Sequence, residues 1–237
     1  IANFISAFYL NKQYEPSYEL VDEDSKSLNL NAKPFKKLKE FIIYDSLSEF
    51  ALHISGPLMM IYWLRELNFN YIELAILLNI GQLTGLFSIK YWGIKIDQLG
   101  TYPTIRWSHL LITIFPIFWI IIYYLPSELK LPISLITHSL ASLIFSGRYL
   151  ALDNRLYEHM EGRSMIKITS ERILYRGLLI FIGGIIGGFL SKTDISDFTL
   201  ANYKVSHLHL VMLTSAILRL IVWVWFLRIK ESSLIKI

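Results

Sequence analysis

Several apolar stretches of about 20 residues occur along this 237-residue chain, and they restrict its fold more than any other feature. A helix of about 20 apolar residues spans a hydrocarbon core roughly 30 Å thick. Of the chain, 54% is hydrophobic and only 18% is charged, so it lacks the polar surface that a soluble domain of this length needs. The apolar stretches are continuous and lack the period-two alternation of transmembrane β-strands. The sequence therefore predicts an all-α membrane protein.

Six such stretches follow a polar region. We place the spans at about 41–64, 69–92, 103–125, 131–152, 168–190 and 206–228. The chain starts at Ile1, and its first ten residues, 1–10, read as the end of a preceding, truncated transmembrane helix. We therefore expect a segment of a longer protein. Residues 11–40 are expected to form a cytoplasmic linker, and residues 41–237 a domain of six transmembrane helices.

The lysines and arginines indicate the orientation of these spans. With the linker placed in the cytoplasm, the loops on the same side carry most of the basic residues, including Lys95, Arg155 and Arg228. Cytoplasmic loops of membrane proteins carry such an excess. We therefore expect a multi-pass protein of the cell membrane with both ends of this segment in the cytoplasm. The net charge of +4 is attributed to the basic residues of these loops. We expect the lipid bilayer, and not a nucleic acid, as the partner of this chain.

A short charged sequence, WGIKIDQLGTYP, separates the second and third predicted spans. Within it Gly93, Asp97 and Gly100 fit the pattern G-x-x-x-D-x-x-G. The two glycines permit a tight turn and a close approach of the backbone. This sequence and its position resemble the signature loop of the major facilitator superfamily of transporters. Family members carry Arg or Lys directly after the second glycine, whereas here Thr101 and Tyr102 follow it and the next basic residue along the chain is Arg106.

A second likeness lies in the fifth predicted span, where two arginines precede a glycine-rich stretch. Its glycines form two overlapping GxxxG pairs: Gly183, Gly184, Gly187 and Gly188. Small residues at this spacing let two helices approach closely. In the superfamily the fifth helix of each half is arginine-led and glycine-rich, and the resemblance implies that it contacts the opposite half.

The resemblance covers nearly the whole chain, as the carboxy-terminal six-helix half of a twelve-helix major-facilitator-type fold. It implies a secondary active transporter that moves a small solute by alternating access, possible proton coupling, and a partner in the missing amino-terminal six-helix half. It further implies that Asp97 contacts a helix end of that opposite half and so acts in a conformational-switch loop. No cofactor is implied.

Ionisable side chains inside the spans are the candidates for a substrate or proton site, because charge at membrane depth is costly. Glu49 and His53 lie four residues apart on one helical face, and Pro57 removes the N–H that the carbonyl of His53 would accept. His138 is near the middle of the fourth span. The resemblance places the first and fourth helices around the central cavity, which favours all three side chains as cavity residues. The alternative is that they only bond neighbouring helices.

Two arginines inside the spans need partners of their own. Arg148 lies near the inner end of the fourth span, and Asp153 or the linker could pair with it. Arg219 lies about the middle of the last span, where we expect it to turn inward to a carboxylate or to extend toward the interface.

Other functional classes find less support in the residues. The chain has no cysteine, no HExxH and no nucleotide-binding loop, so we predict neither a catalytic nor a metal site. A membrane scaffold or receptor that retains the transporter fold but transports nothing remains the alternative function.

Overall fold

The computed structural model describes residues 33–158, 165–192, 198–200 and 203–228, and nearly all of them are helical. The helices are α1 (Lys33–Ser55), α2 (Met59–Arg65), α3 (Tyr71–Leu99), α4 (Thr101–Tyr123), α5 (Ser127–Glu158), α6 (Met165–Leu190) and α7 (His207–Arg228). A 3-10 turn, Gly56–Leu58, joins α1 to α2. Two short strands between α6 and α7, β1 (Phe198–Leu200) and β2 (Tyr203–Val205), pair antiparallel.

Five of the helices, α3 to α7, are long and apolar enough to cross a membrane. Their outward faces carry many large apolar side chains, such as Phe87, which is 78% exposed, and Phe189, which is 70% exposed. Exposed apolar surface on this scale marks contact with lipid or with another protein. The chain is therefore a multi-pass membrane protein.

The first predicted span, 41–64, is divided in the structure between α1, the 3-10 turn and α2. Pro57 lies in the turn and has no N–H to donate, so the regular helix ends at Ser55. At its other end α1 begins at Lys33 among the described residues, so the last part of the predicted linker, 33–40, is helical. The predicted truncated helix and the first part of the linker, 1–32, lie outside the described residues.

The second span begins with a capping box. The Asn70 side chain accepts hydrogen bonds from the N–H groups of Ile72 and Glu73, both at 2.9 Å, and the Glu73 carboxylate accepts from the Asn70 N–H at 2.8 Å. The helix then continues through Leu99, seven residues beyond the predicted end at 92. Much of the signature sequence is therefore helical, and the turn into α4 is confined to Gly100.

The long helices pack in the order α6, α1, α7, α4, α5 and α3, each against the next. Two hydrophobic clusters lie at opposite ends of this bundle. One contains Leu38, Ile105, Leu152 and Phe226, from the start of α1 and α4 and the end of α5 and α7; the other lies at the opposite ends of these helices and includes Trp119. The first cluster also contains Ile96, near the end of α3, and Ile168, at the start of α6, so successive long helices alternate in direction.

Candidate functional site

A cavity of about 240 Å³ lies between the two hydrophobic clusters. Its wall comes from α1, the 3-10 turn, α2, α4, α5 and α7. Most of the lining is apolar, with five aromatic side chains: Trp63, Phe115, Trp119, Phe145 and Tyr149. Its basic lining residues are His53, His138 and Arg219, and the lining includes no acidic residue. The cavity can therefore receive a small ligand whose body is apolar and whose charge is negative.

The interrupted first span forms one side of this cavity. Ser55, Gly56 and Met59 line it where α1 stops and α2 starts. A Cβ on Gly56 would meet nothing within 4 Å, so this position opens onto space. The Pro57 interruption predicted from the sequence thus lies beside a cavity.

Arg219 reaches the cavity from α7 and is 6% exposed. Its Nη2 donates to the Ser55 hydroxyl at 3.1 Å, and its Nη1 donates to the Ile112 carbonyl at 3.1 Å. Its Nε has no hydrogen-bond partner among the described residues, and no carboxylate of this part of the chain forms an ion pair with it. The expected carboxylate partner is therefore not found in the described part of the chain, and neutral acceptors hold this buried cation.

The two histidines predicted to line a cavity share this one. His53 is partly exposed, and its Nδ1 lies 2.9 Å from the backbone oxygen of Glu49. The ring of His138 stands edge-on to Trp63, with centroids 5.4 Å apart, and tilted to Trp119, at 6.4 Å. A Cβ on Gly81 of α3 would lie 2.5 Å from the His138 ring, so glycine there leaves the space that the imidazole occupies.

Glu49 is not among the cavity-lining residues, although the sequence placed it there. It is 1% exposed, and its Oε2 lies 3.6 Å from the Nδ1 of His53. Its Oε1 accepts from Arg148 at 3.1 Å and pairs with Arg176 at 3.3 Å. Arg148 also donates to the Ser48 hydroxyl. The carboxylate therefore lies behind the cavity wall, between two guanidinium groups, and a proton-carrying role for it stays a prediction.

Glu49 belongs to a larger group of charges that joins α1, α5 and α6, which we call the arginine cluster. Its members are Asp45, Glu49, Arg148, Asp153, Arg172 and Arg176. Three carboxylates thus face three guanidinium groups. This balance leaves Arg219 as a buried cation without a matching anion among the described residues.

Arg172 is the second bridge of the cluster. Its Nε donates to Asp45 and its Nη1 to Asp153, both at 2.7 Å. The sequence suggested Asp153 or the linker as the partner of Arg148. In the structure Arg148 pairs with Glu49, and Asp153 pairs with Arg172. Asp45 lies one helical turn before Glu49 and is fully buried.

A further buried contact involves a residue that the sequence reasoning did not consider. His109 of α4 places its Nε2 3.1 Å from the backbone oxygen of Arg219 and its Nδ1 2.5 Å from the Tyr44 hydroxyl. A carbonyl oxygen only accepts, so in the neutral imidazole Nε2 carries the hydrogen and Nδ1 accepts from Tyr44. This chain of hydrogen bonds fixes the part of α7 that presents Arg219.

The residues of the signature motif lie at the end of α3 and the start of α4. Gly100 has a φ of 87°, which favours glycine. Asp97 is exposed in the last turns of α3, and no hydrogen bond or ion pair joins it to the described residues. The exposed Arg106 has its guanidinium carbon 5.8 Å from the ring centroid of Trp107, and no ion pair joins it to Asp97 among the described residues. A switch role for the motif stays a prediction.

Two of the four glycines in the GxxxG pairs of α6 make the predicted close contact with another helix. A Cβ on Gly183 would lie 2.7 Å from the carbonyl oxygen of Phe50, and one on Gly187 would collide with the backbone of Ile54. Both glycines therefore pack against α1 of the same chain. The family resemblance had implied a contact with the opposite half.

The other two glycines do not take part in this contact. A Cβ on Gly184 would come no closer than 4.0 Å to Pro57, and one on Gly188 would meet nothing within 4 Å. The reason is geometric, since neighbouring positions of a helix point about 100° apart. Only one of the two GxxxG pairs, Gly183 and Gly187, faces α1.

Comparison of the chain with models of protein families, with curated proteins and with solved structures found no match. Its function is therefore inferred from the motif, the packing of the helices and the chemistry of the cavity.

Proposed function

We propose that this chain is the carboxy-terminal six-helix half of a secondary active transporter of the major facilitator type, which moves a small solute across the cell membrane by alternating access. In this proposal α1, the 3-10 turn and α2 together form the first of six spans. Both ends of the segment are cytoplasmic, as the distribution of basic residues indicates.

The observation that supports this proposal best is the pairing of the helices. Helix α1 packs against α6 and α7, and correspondingly α5 packs against α3 and α4. Helices α4 and α7 also pack against each other. If the first, second and third spans are exchanged with the fourth, fifth and sixth, respectively, this set of contacts is therefore unchanged. Each group contains three spans, so the second group enters the membrane from the opposite side. Inverted three-helix repeats of this kind make up each half of major facilitator transporters.

The position of the cavity gives further support. The first span of each group lines it, and one of these spans is interrupted at Pro57 beside the cavity. Transporters commonly bind their substrates where such discontinuous helices meet between repeats. A scaffold that only holds partners has no need for a cavity lined by basic side chains between the two ends of the bundle.

Alternating access can be tested without knowing the substrate. A cysteine replacing Ser142, which lines the cavity, is expected to react with membrane-impermeant thiol reagents added from either side of the membrane. In a separate variant, a cysteine replacing Ser127 is expected to react only from outside, because Ser127 lies at the opposite end of α5 from the arginine cluster. One at Gln98, within the signature motif, should react only from the cytoplasm.

The unsubstituted protein is the background in this experiment, because the chain itself contains no cysteine. Reaction of the Ser142→Cys variant from one side only would favour the scaffold or receptor. Reaction of Ser127→Cys from the cytoplasm would reverse the orientation.

The switch role of Asp97 is tested by Asp97→Asn, which keeps the shape of the side chain and removes its charge. A carboxylate at a helix N-terminus gains roughly 0.3–1 kcal/mol, and up to ~2 kcal/mol when partly buried. This contact with the opposite half is expected only in the outward-facing state, where the cytoplasmic side is closed. We therefore expect the variant to raise the ratio of inward-facing to outward-facing carrier by up to about thirtyfold. Paired spin labels on the two halves measure this ratio. An inward-to-outward ratio equal to that of the parent would reduce the motif to a turn built by its glycines.

A further inference from the structure

We propose that the cavity binds a small organic monocarboxylate with an apolar or aromatic body, and that Arg219 provides its counter-charge. This substrate class rests on the proposed transport function. The binding itself can be measured separately.

The first argument is the state of Arg219. A cation taken out of water is stabilised only where an anion or a full set of hydrogen bonds replaces the lost hydration. In the described part of the chain Arg219 has two neutral acceptors and an unpartnered Nε, whereas the neighbouring arginine cluster has one carboxylate for each guanidinium. A carboxylate in the cavity would supply the missing charge.

The second argument is access. Ser55, which accepts a hydrogen bond from the Nη2 of Arg219, also lines the cavity, so the guanidinium group lies at the cavity wall. Arginine presents planar pairs of N–H groups that match the two oxygens of a carboxylate. The His53 and His138 imidazoles on the same wall add hydrogen-bonding groups, and no lining carboxylate repels an anion.

The third argument is size and lining. A volume of about 240 Å³ falls below the roughly 300–1,000 Å³ of pockets for drug-sized ligands. Trp63 and Trp119 offer flat apolar surfaces to the body of a ligand. This combination suits a molecule the size of benzoate, which has one anionic group and a flat apolar body.

The test uses benzoate as the probe, with benzamide as a neutral analogue and benzylamine as a cationic one. Binding to the purified protein in lipid nanodiscs is followed by calorimetry and by the fluorescence of the tryptophans. We expect benzoate to bind at least tenfold more tightly than either analogue. Arg219→Gln should weaken benzoate binding by about tenfold to a hundredfold, the range of a hydrogen bond to a charged group, and weaken benzamide binding much less, because benzamide carries no charge.

Arg65→Gln is the matched control, since Arg65 is exposed at the end of α2, and its benzoate affinity should equal that of the parent. Equal affinities for benzoate and benzamide, or an Arg219→Gln variant that retains the benzoate affinity, would overturn the proposal. If Arg219→Gln does not fold, the comparison of the three probes on the parent protein decides. If benzoate binds but Ser142→Cys is labelled from one side only, the anion site is retained and transport is rejected. If Ser142→Cys is labelled from both sides but benzoate does not bind, transport is retained and the anion site is rejected.

Discussion

A Glu49→Gln variant is expected to lose about 3–5 kcal/mol of folding free energy, because it leaves a buried arginine without its counter-charge. Arg148 is 1% exposed and bonds Glu49 at 3.1 Å, so it cannot turn to water when the carboxylate is removed. Arg176, the second partner of Glu49, is more exposed and can find solvent or a headgroup. The loss of folding free energy therefore comes mainly from the unbalanced charge of Arg148. Unfolding by titration with a denaturing detergent in mixed micelles measures it.

Two further variants isolate the origin of this loss. Glu128→Gln makes the same chemical change on an exposed carboxylate in the first turn of α5 and should cost less than about 1 kcal/mol. The double variant Glu49→Gln/Arg148→Gln removes both buried charges, so it should recover part of the loss in a double-mutant cycle. A cycle without coupling between the two positions would mean that the pair does not stabilise the fold.

The same variant bears on the mechanism of transport. If Glu49→Gln folds as stably as the parent but loses uptake driven by a proton gradient while it retains exchange, Glu49 is the coupling carboxylate. If the variant unfolds, its place between Arg148 and Arg176 is structural, and His53, which lies at the cavity, becomes the leading candidate for the proton.

Features that depend on the geometry of one helix could be predicted from the sequence. Contacts that depend on which helices pack together could not. The spacing of Glu49 and His53, and the interruption at Pro57, follow from helical geometry, and the structure places His53 and the interruption at the cavity. Local rules failed at the end of α3, where the charged residues Lys95 and Asp97 suggested a loop. A helix can carry charges in its last turns once these reach water, so α3 continues to Leu99.

The partners of the charged residues were not predictable from one helix at a time. Asp45 and Glu49 lie four apart on α1, and Arg172 and Arg176 lie four apart on α6, so the two helices present matched pairs of charges. That match was visible in the sequence, but it becomes a contact only when α1 and α6 are known to pack together. The same applies to the counter-charge of Arg219, since a charge that a ligand balances leaves no trace in the residue pattern.

The close contact between α6 and α1 leads to the second large effect. A Gly187→Leu variant is expected to lose about 3 kcal/mol or more, at the upper end of the cost of overpacking, because its Cβ would run into the backbone of Ile54 and the helices would have to separate. Gly188→Leu is the matched control on the next position of α6, where a Cβ meets nothing within 4 Å; it should be neutral or stabilise the helix by up to about 1 kcal/mol. Separation of α1 from α6 would also pull apart Arg176 and Glu49, so Gly187→Leu should lose transport together with stability. Equal stabilities of the two leucine variants would show that the contact between α6 and α1 is looser than the structure indicates.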